Sequence, residues 1–125
     1  MCNPALVQAV EIEVRPRDSQ DPDRIRPSST GEIPVAILSD NGFDARTVDA
    51  SSVRFGHSGT EAAAVHVAIR DVDGDGDLDM VLRFRVQETG ILCGDAAATL
   101  TGKTNGGQSI KGSDDIQTKG CKKKP

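Results

Sequence analysis

The chain has 125 residues, a hydrophobic content of 36% and a net charge of −4. This length fits one compact domain, and the hydrophobic content is enough for one modest core but not for two. No apolar run approaches the roughly 18 residues that a membrane-spanning helix needs. Trp and Tyr are absent, which argues against a stacking platform for sugars or single-stranded nucleic acid.

Alternating apolar and charged residues predict a strand near the start of the chain. Residues 6–15 read LVQAVEIEVR, which has the period of a half-buried strand. Residues 16–31 contain three prolines and several Asp and Ser, so we expect a polar loop there. Residues 33–38, IPVAIL, predict an apolar strand, with Pro34 near its start or on an edge, where a missing N–H is tolerated.

Residues 40–56 contain turn-forming residues between short predicted elements. Residues 40–42, Asp-Asn-Gly, predict a turn, and residues 44–49 predict one helical turn. Residues 52–55, SVRF, predict a short strand that ends at Gly56.

The runs on either side of residues 71–79 show the clearest pattern. In residues 65–70 the β-branched side chains share one face, and from Met80 to Val86 every second residue is apolar. Two such strands joined by nine residues predict a hairpin with a long, functional connection.

The remainder of the chain predicts further short strands and no convincing amphipathic helix. Residues 98–101 and 116–119, together with Ile110, suggest these strands, with a turn around residues 105–107. Seven or eight strands with closely spaced turns predict an antiparallel β-sandwich. We expect a single domain over residues 1–125 whose basic end, residues 119–125, forms a flexible tail.

Residues 71–79, DVDGDGDLD, hold five carboxylates and no Lys or Arg. Two unit charges about 4 Å apart repel by roughly 1 kcal/mol in water and about 4 kcal/mol at a surface-like dielectric. Ca²⁺, a hard cation with six to eight oxygen ligands, would convert these repulsions into attractions. With Asp71 as position 1, the loop matches the calcium pattern D-x-D-x-D-G. The predicted ligands are Asp71, Asp73, Asp75 and Asp79 through side-chain oxygens, and Asp77 through its backbone carbonyl.

The loop departs from an EF-hand at position 12, where Leu82 replaces the bidentate Glu. The strand pattern explains this, because Leu82 is expected to point into the core. The loop resembles the calcium loops between strands of FG-GAP repeats, and its first half resembles dockerin loops. A register that starts at Asp73 places Leu78 where glycine belongs, so the first register is preferred. The alternative interpretation is a solvated acidic turn without an ion.

The cysteines and histidines give weaker signals. A Cys93–Cys121 disulfide would close a loop of about 30 residues and add about 3–4 kcal/mol under oxidising conditions; three free thiols are the alternative. His57 and His66 are expected on the surface. A catalytic set of Cys93, Asp95 and a histidine is disfavoured.

A longer pattern runs through most of the chain and comprises IPVAIL (33–38), FD (43–44), TVD (47–49), SVRFG (52–56), the acidic loop, QETG (87–90), LTG (100–102) and GSD (112–114). This pattern resembles poorly characterised β modules of exported or surface-attached bacterial proteins. The resemblance implies an extracellular or cell-surface setting, where millimolar calcium saturates a weak site. Residues 1–4 show no signal-peptide pattern, so a cytoplasmic setting stays the alternative.

We therefore expect a non-enzymatic, calcium-stabilised module that binds, anchors or spaces other parts of a surface protein. Its partners would be the calcium ion and a protein or surface, without nucleic acid or membrane insertion. The competing hypothesis is a small hydrolase or enzyme accessory domain that uses surface carboxylates. A third is an intracellular protein whose loop binds metal incidentally.

Overall fold

The computed structural model describes residues 7–14, 23–39, 43–72, 74 and 76–118. These residues form strands and two single turns of 3-10 helix, with no α-helix among them. The strands are β1 (Gln8–Ala9), β2 (Ile12–Val14), β3 (Asp23–Ile25), β4 (Glu32–Ile37), β5 (Val48–Gly56), β6 (Ala62–Arg70), β7 (Asp79–Arg85), β8 (Ala97–Thr104) and β9 (Ser109–Thr118). The 3-10 turns span Ala45–Thr47 and Val86–Glu88.

The strands form one mixed sheet in the order β1-β9-β8-β5-β6-β7-β4-β2. All neighbours along this order are antiparallel except β1 and β9, and β3 also joins β9 in parallel. The sheet is curled, and the N-terminal segment that contains β1 and β2 approaches β9. The Val10 N–H donates to the Lys111 carbonyl at 3.0 Å and the Val14 N–H donates to an Asp114 carboxylate oxygen at 2.9 Å.

The curl depends on a glycine in β9. An ideal Cβ at Gly112 would lie 2.6 Å from the Val10 carbonyl oxygen and 2.9 Å from Ile12 Cγ2. Only a residue without a side chain therefore lets the N-terminal strands approach β9 this closely.

One core fills the concave side of the sheet. Phe55 and Phe84 lie at its centre with ring centroids 5.2 Å apart, and both are fully buried. Aliphatic side chains from the whole chain surround them, including Val14, Leu82 and Leu100. A chain with so few aromatic residues thus builds its core largely from Val, Ile, Leu and Ala.

The predicted all-β class is confirmed. The described strands form one curled sheet rather than a clearly antiparallel sandwich, and the sheet is mixed because β1 and β3 both run parallel to β9. The polar loop expected at residues 16–31 is wrong for residues 23–25, which form β3; its first part, residues 16–22, lies outside the described residues. Residues 23–25 form a strand because they pair with β9, although their own sequence does not indicate one.

The single strand predicted over residues 6–15 is divided into β1 and β2, which lie at opposite ends of the strand order. Most other predicted strands are confirmed, some with different lengths. Pro34 lies near the start of β4, opposite Arg83 of β7 and one residue beyond the β2 pairing, which begins at Val35. Its missing N–H therefore costs β2 no hydrogen bond. The short strands expected after residue 97 are two long ones, β8 and β9, which pair from Ala97 to Lys103.

Several predictions fall on residues outside the described part of the chain, namely the turn at residues 40–42 and the tail at 119–125. The helical turn predicted within residues 44–49 is confirmed as the 3-10 turn, which the Asp44 side chain caps through the Arg46 N–H. In the described residues no helix is long and apolar enough to cross a membrane.

Candidate metal centre

The acidic loop connects β6 to β7, as the sequence predicted. The two strands pair antiparallel up to Arg70 opposite Asp79, so these two residues close the base of the loop. Of the five predicted metal ligands, the structure describes Asp71, Asp77 and Asp79. Asp73 and Asp75 lie outside the described residues.

Asp71 folds the loop back onto itself. One carboxylate oxygen accepts the Gly74 N–H at 2.9 Å and the other accepts the Gly76 N–H at 2.9 Å. Both glycines have positive φ, 75° at Gly74 and 93° at Gly76. Residues with a Cβ rarely adopt this conformation, so glycine at these two positions lets the chain wrap around the Asp71 carboxylate.

Asp79 lies at the base of the loop and is fully buried. One carboxylate oxygen accepts the Ser39 N–H at 2.8 Å and the other accepts the Val72 N–H at 3.0 Å. A carboxylate has about four acceptor positions, so these bonds use half of its capacity. Asp79 thus fastens both ends of the loop to the end of β4, and it keeps lone pairs that a cation could use.

Ser39 links the loop to the segment that follows β4. Its hydroxyl donates to the Leu78 carbonyl at 2.6 Å and accepts the Ala45 N–H at 2.8 Å. The side chain is buried, and a buried hydroxyl is costly unless its hydrogen bonds are made. The base of the loop is therefore rigidly attached to the 3-10 turn, although the two are more than 30 residues apart.

The 3-10 turn carries an ion pair between Arg46 and its N-cap residue, Asp44. Arg46 contacts Asp44 through two nitrogens, at 3.0 and 2.8 Å. Hydrogen bonds from the Arg46 side chain lower the pKa of Asp44 below its ordinary value. The pKa of Arg46 is raised, chiefly by its hydrogen bond with Asp44 and also by the charge of Asp77. Arg46 thus brings a positive charge towards one side of the acidic loop.

The negative field of this region extends to β2. The pKa of Glu13 is raised by burial and by the charges of Asp114, Asp79 and Glu11. The main chain supports the same proximity, because the Leu38 N–H donates to the Glu11 carbonyl at 2.9 Å. A cation in the loop would therefore also reduce the repulsion felt at Glu13.

Within the described residues, no three His, Cys, Asp or Glu side chains converge in a way that could hold a metal ion. Three of the five predicted ligands, Asp71, Asp77 and Asp79, are among these residues. Leu78, the apolar residue near the end of the loop, has 42% of its surface exposed. The buried anchor is its neighbour Asp79, because β7 begins there and turns that side chain inward.

A second acidic site occupies the opposite end of β6, in the loop that precedes it. The Glu61 carboxylate accepts the backbone N–H groups of Ser58, Gly59 and Thr60 at 3.0–3.2 Å, and the Ser58 hydroxyl at 2.6 Å. Burial raises the pKa of Glu61, but these hydrogen bonds outweigh burial and leave the pKa below its ordinary value. Hydrogen bonds from the neighbouring residues thus stabilise the charged form of the Glu61 carboxylate.

His57 and Asp95 join this loop to the one after β7. His57 Nδ1 lies 2.8 Å from an Asp95 carboxylate oxygen, which also accepts the Leu92 N–H at 2.9 Å. The hydrogen bond with Asp95 raises the pKa of His57. Hydrogen bonds from Leu92 and then His57 lower the pKa of Asp95. Both histidines are exposed, as predicted, with side-chain exposures of 54% for His57 and 69% for His66.

The loop after β7 also carries a disulfide at Cys93. The predicted partner, Cys121, lies outside the described residues, as does Cys2. The residue after Cys93 approaches the end of β9, because the Gly94 N–H donates to the Thr118 hydroxyl at 2.9 Å. A catalytic thiol at Cys93 is thereby excluded in this state. The histidine close to Asp95 is His57.

Sequence reasoning did not identify Ser39 or Glu61 as organising residues. Ser39 follows the predicted strand IPVAIL, where a polar residue is ordinary, and only the fold brings it to the acidic loop. Glu61 gave a local signal, since it follows Ser58 by three residues in a Gly-containing loop. Such a spacing permits side-chain bonds to preceding backbone groups, as at helix starts.

Comparison of the chain with protein-family models, with curated proteins and with solved structures found no match.

Proposed function

We propose that the chain is a non-enzymatic, calcium-stabilised β module that serves a binding, anchoring or spacing role in an extracellular or cell-surface protein. Ca²⁺ would be held at residues 71–79 by the side chains of Asp71, Asp73, Asp75 and Asp79 and by the Asp77 carbonyl. The two halves of the curled sheet would then pack as the layers of a sandwich, with the ion at one end.

The observation that carries this proposal is the shape of the loop around Asp71. Both of its oxygens hold glycine N–H groups, and both glycines adopt positive φ. A cation loop needs this curvature, because successive oxygens must converge on one point rather than alternate across a strand. The donor set is made of hard oxygen ligands, which suits Ca²⁺.

Asp79 supports the same assignment in a different way. A fully buried carboxylate is costly unless it is paired, and its two backbone hydrogen bonds meet part of that cost. A divalent ion bound at the remaining lone pairs of Asp79 would further offset the cost of burying this carboxylate. The ion would also draw the loop to the end of β4, where Ser39 is already attached.

The disulfide at Cys93 supports the extracellular setting. Disulfides persist in oxidising compartments and are rare in the cytosol. Calcium is millimolar outside cells, so a site without the bidentate Glu of an EF-hand would still be filled there.

Titration calorimetry with Ca²⁺ tests the proposal. We expect one site per chain with a dissociation constant in the range of about 10⁻⁵ to 10⁻³ M, and a weaker response to Mg²⁺, which requires tight octahedral geometry. Replacing Asp71 and Asp75 with Ala should abolish binding. The matched control removes two exposed carboxylates elsewhere, Glu88→Ala with Asp115→Ala, and should bind like the native chain.

Absence of heat and of any spectroscopic response up to about 10 mM Ca²⁺ would overturn the assignment. So would equal binding by the loop variant and the native chain, because the ion would then lie elsewhere.

A further inference from the structure

One hydroxyl group joins the acidic loop to the 3-10 turn that precedes β5. The Ser39 hydroxyl donates to the Leu78 carbonyl at 2.6 Å and accepts the Ala45 N–H at 2.8 Å. A hydroxyl that donates one hydrogen bond becomes a better acceptor for another, so the two contacts strengthen each other. The base of the loop and the turn are therefore linked through a single oxygen atom.

Burial makes it unfavourable to break this link on one side only. Ser39, Asp79 and Ala45 are all buried. If the base of the loop opened while Ser39 stayed in place, the Ser39 hydroxyl would lose the Leu78 carbonyl and the Ser39 N–H would lose the Asp79 carboxylate. Buried polar groups that lose their partners destabilise the state that contains them. The base of the loop and the turn are therefore expected to open together.

The 3-10 turn is attached on its other side to the β8–β9 hairpin. The Asn105 N–H donates to the Thr47 carbonyl at 2.8 Å. The N–H and the hydroxyl of Thr47 both donate to the Asp44 carbonyl, at 3.0 and 2.7 Å, and these bonds close the turn. Hydrogen bonds thus extend from the acidic loop through Ser39 and the turn to the tip of the hairpin.

The start of β5, next to the turn, is separated from the centre of the sheet. Val48 and Asp49 pair with β8, but the register of this pairing shifts between Asp49 and Arg54. Such an irregularity interrupts the ladder of hydrogen bonds. The start of the strand can then open while the rest of the strand stays paired, as cooperative local units do in other proteins.

We propose that the base of the acidic loop, the 3-10 turn and the tip of the β8–β9 hairpin open and close as one unit, which the Ser39 hydroxyl holds together. Such coupling is reciprocal, so a change at the hairpin tip must also alter opening at the loop. An ion at Asp79 would stabilise the whole unit, because this carboxylate holds the Ser39 N–H. That last consequence rests on the proposed function.

Native-state hydrogen exchange in chelator tests the unit without an ion. The reporters are the N–H groups of Val72 in the loop, Ala45 in the turn and Asn105 in the hairpin, each compared with the N–H groups of β7. Ser39→Ala should speed the exchange of all three by about tenfold or more relative to β7, since it removes both bonds of the hydroxyl. Acceleration confined to Ala45 would overturn the proposal.

The matched control is Thr89→Val, which removes another buried hydroxyl beside a 3-10 turn. Thr89 follows the turn Val86–Glu88, and its hydroxyl donates to the Val86 carbonyl at 2.6 Å and accepts the Ile91 N–H at 3.3 Å. This variant should leave the three reporters unchanged relative to β7. Equal acceleration of the reporters in both variants would show a general loss of stability, and it would overturn the proposal.

Asn105→Pro tests the unit from the hairpin, and it also serves if the serine variant does not fold. Proline removes the N–H that the Thr47 carbonyl accepts. Asn105 occupies the second position of a hydrogen-bonded turn, where proline is favoured. Exchange at Ala45 and Val72 should rise by a common factor of about fivefold. Unchanged exchange at Val72 would overturn the proposal.

Calcium distinguishes the unit from the proposed metal site. At a hundredfold excess over the dissociation constant, Ca²⁺ should slow the exchange of all three reporters by about a hundredfold, and calorimetry on the same sample should show binding. Binding with slower exchange at Val72 alone would overturn the unit and leave the metal site standing. No binding and no slowing, with both variants still accelerating the reporters, would overturn the metal site and support the unit.

Discussion

The two ends of β6 hold carboxylates in opposite ways. At the end before the strand, Glu61 is alone and accepts three backbone N–H groups and the Ser58 hydroxyl. At the end after it, five carboxylates stand within nine residues, without a Lys or Arg among them. Backbone donors are enough for one isolated negative charge. A cluster needs more compensation, because each carboxylate there also repels its neighbours.

The ends also differ in what fastens them. The Glu61 end is joined to the loop after β7 by His57 and Asp95, and that loop carries the Cys93 disulfide. The acidic loop is fastened at its base by Asp79 and Ser39, which hold it to the end of β4. The Glu61 end is therefore expected to keep its structure without an ion, whereas the structure of the acidic loop is expected to depend on a cation. Variants and conditions that affect only one of the two ends should separate these two contributions to stability.

Reduction of the disulfide should have the largest effect on the Glu61 end. If Cys93 is linked to Cys121, as predicted, a closed loop of this length adds about 3–4 kcal/mol to the free energy of unfolding. Urea unfolding with and without reductant should show this loss, equally with calcium and with a chelator. A Cys93→Ser chain, insensitive to reductant, is the control. Peptide mapping under non-reducing conditions that finds Cys93 linked elsewhere would contradict the pairing.

Asp79→Ala should have the next largest effect, at the base of the acidic loop. It leaves the Ser39 and Val72 N–H groups buried without their acceptor, which should cost about 2–4 kcal/mol. Urea unfolding in chelator measures this cost apart from any ion. The exposed Asp115→Ala is the control and should stay within about 0.5 kcal/mol of the native chain. A loss below about 1 kcal/mol for Asp79→Ala would show that the loop base is not organised by this carboxylate.

Glu61→Gln should destabilise the chain by about 1 kcal/mol at pH 7, whether or not calcium is present. The lowered pKa of Glu61 means that its stabilisation is present above the unfolded pKa of about 4.3 and is lost as pH falls through the folded pKa. Unfolding measured from pH 7 to pH 3 should therefore bring the variant and the native chain together. A gap that widens towards low pH would contradict this account.

The smallest effect is expected at His57. Its raised pKa means that its stabilisation is complete below the unfolded pKa of about 6.5 and is lost as pH rises through the folded pKa. The lowered pKa of Asp95 keeps the carboxylate charged over that range. Thermal unfolding from pH 5 to pH 8 should show a small decline that His57→Gln removes. The control, His66→Gln, changes an exposed histidine of β6 and should still lose stability between pH 5 and pH 8. If both variants abolish this loss of stability, the loss does not arise from His57.

The sequence was informative where one local pattern decides the structure. Alternation in the runs around residues 71–79 predicted the β6–β7 hairpin, and the 3-10 turn appeared where residues 44–49 indicated it. The strand β3 could not be predicted this way, because residues 23–25 are strand-forming only through pairing with β9. The same holds for the curl of the sheet, which rests on a long-range contact at Gly112.

In the candidate site, too, the local features could be predicted from the sequence and the long-range contacts could not. The spacing of Asp71, Gly74 and Gly76 is local, and it predicted a loop that curves around the first carboxylate. The burial of Asp79 and its bond with Ser39 depend on the position of β4 beside β7. Sequence alone gave Asp79 as a ligand position, and the fold adds a structural role for the same side chain.

The central claim is that the acidic loop needs a divalent cation to keep its shape, and thermal unfolding with calcium or with a chelator tests it most directly. The chain lacks Trp and Tyr, so the midpoint is followed by circular dichroism. At a hundredfold excess over the dissociation constant, calcium should add about 2.7 kcal/mol and raise the midpoint by about 5–10 °C. Asp71→Ala with Asp75→Ala should lose most of this rise. Equal midpoints for the native chain in calcium and in chelator would contradict the claim.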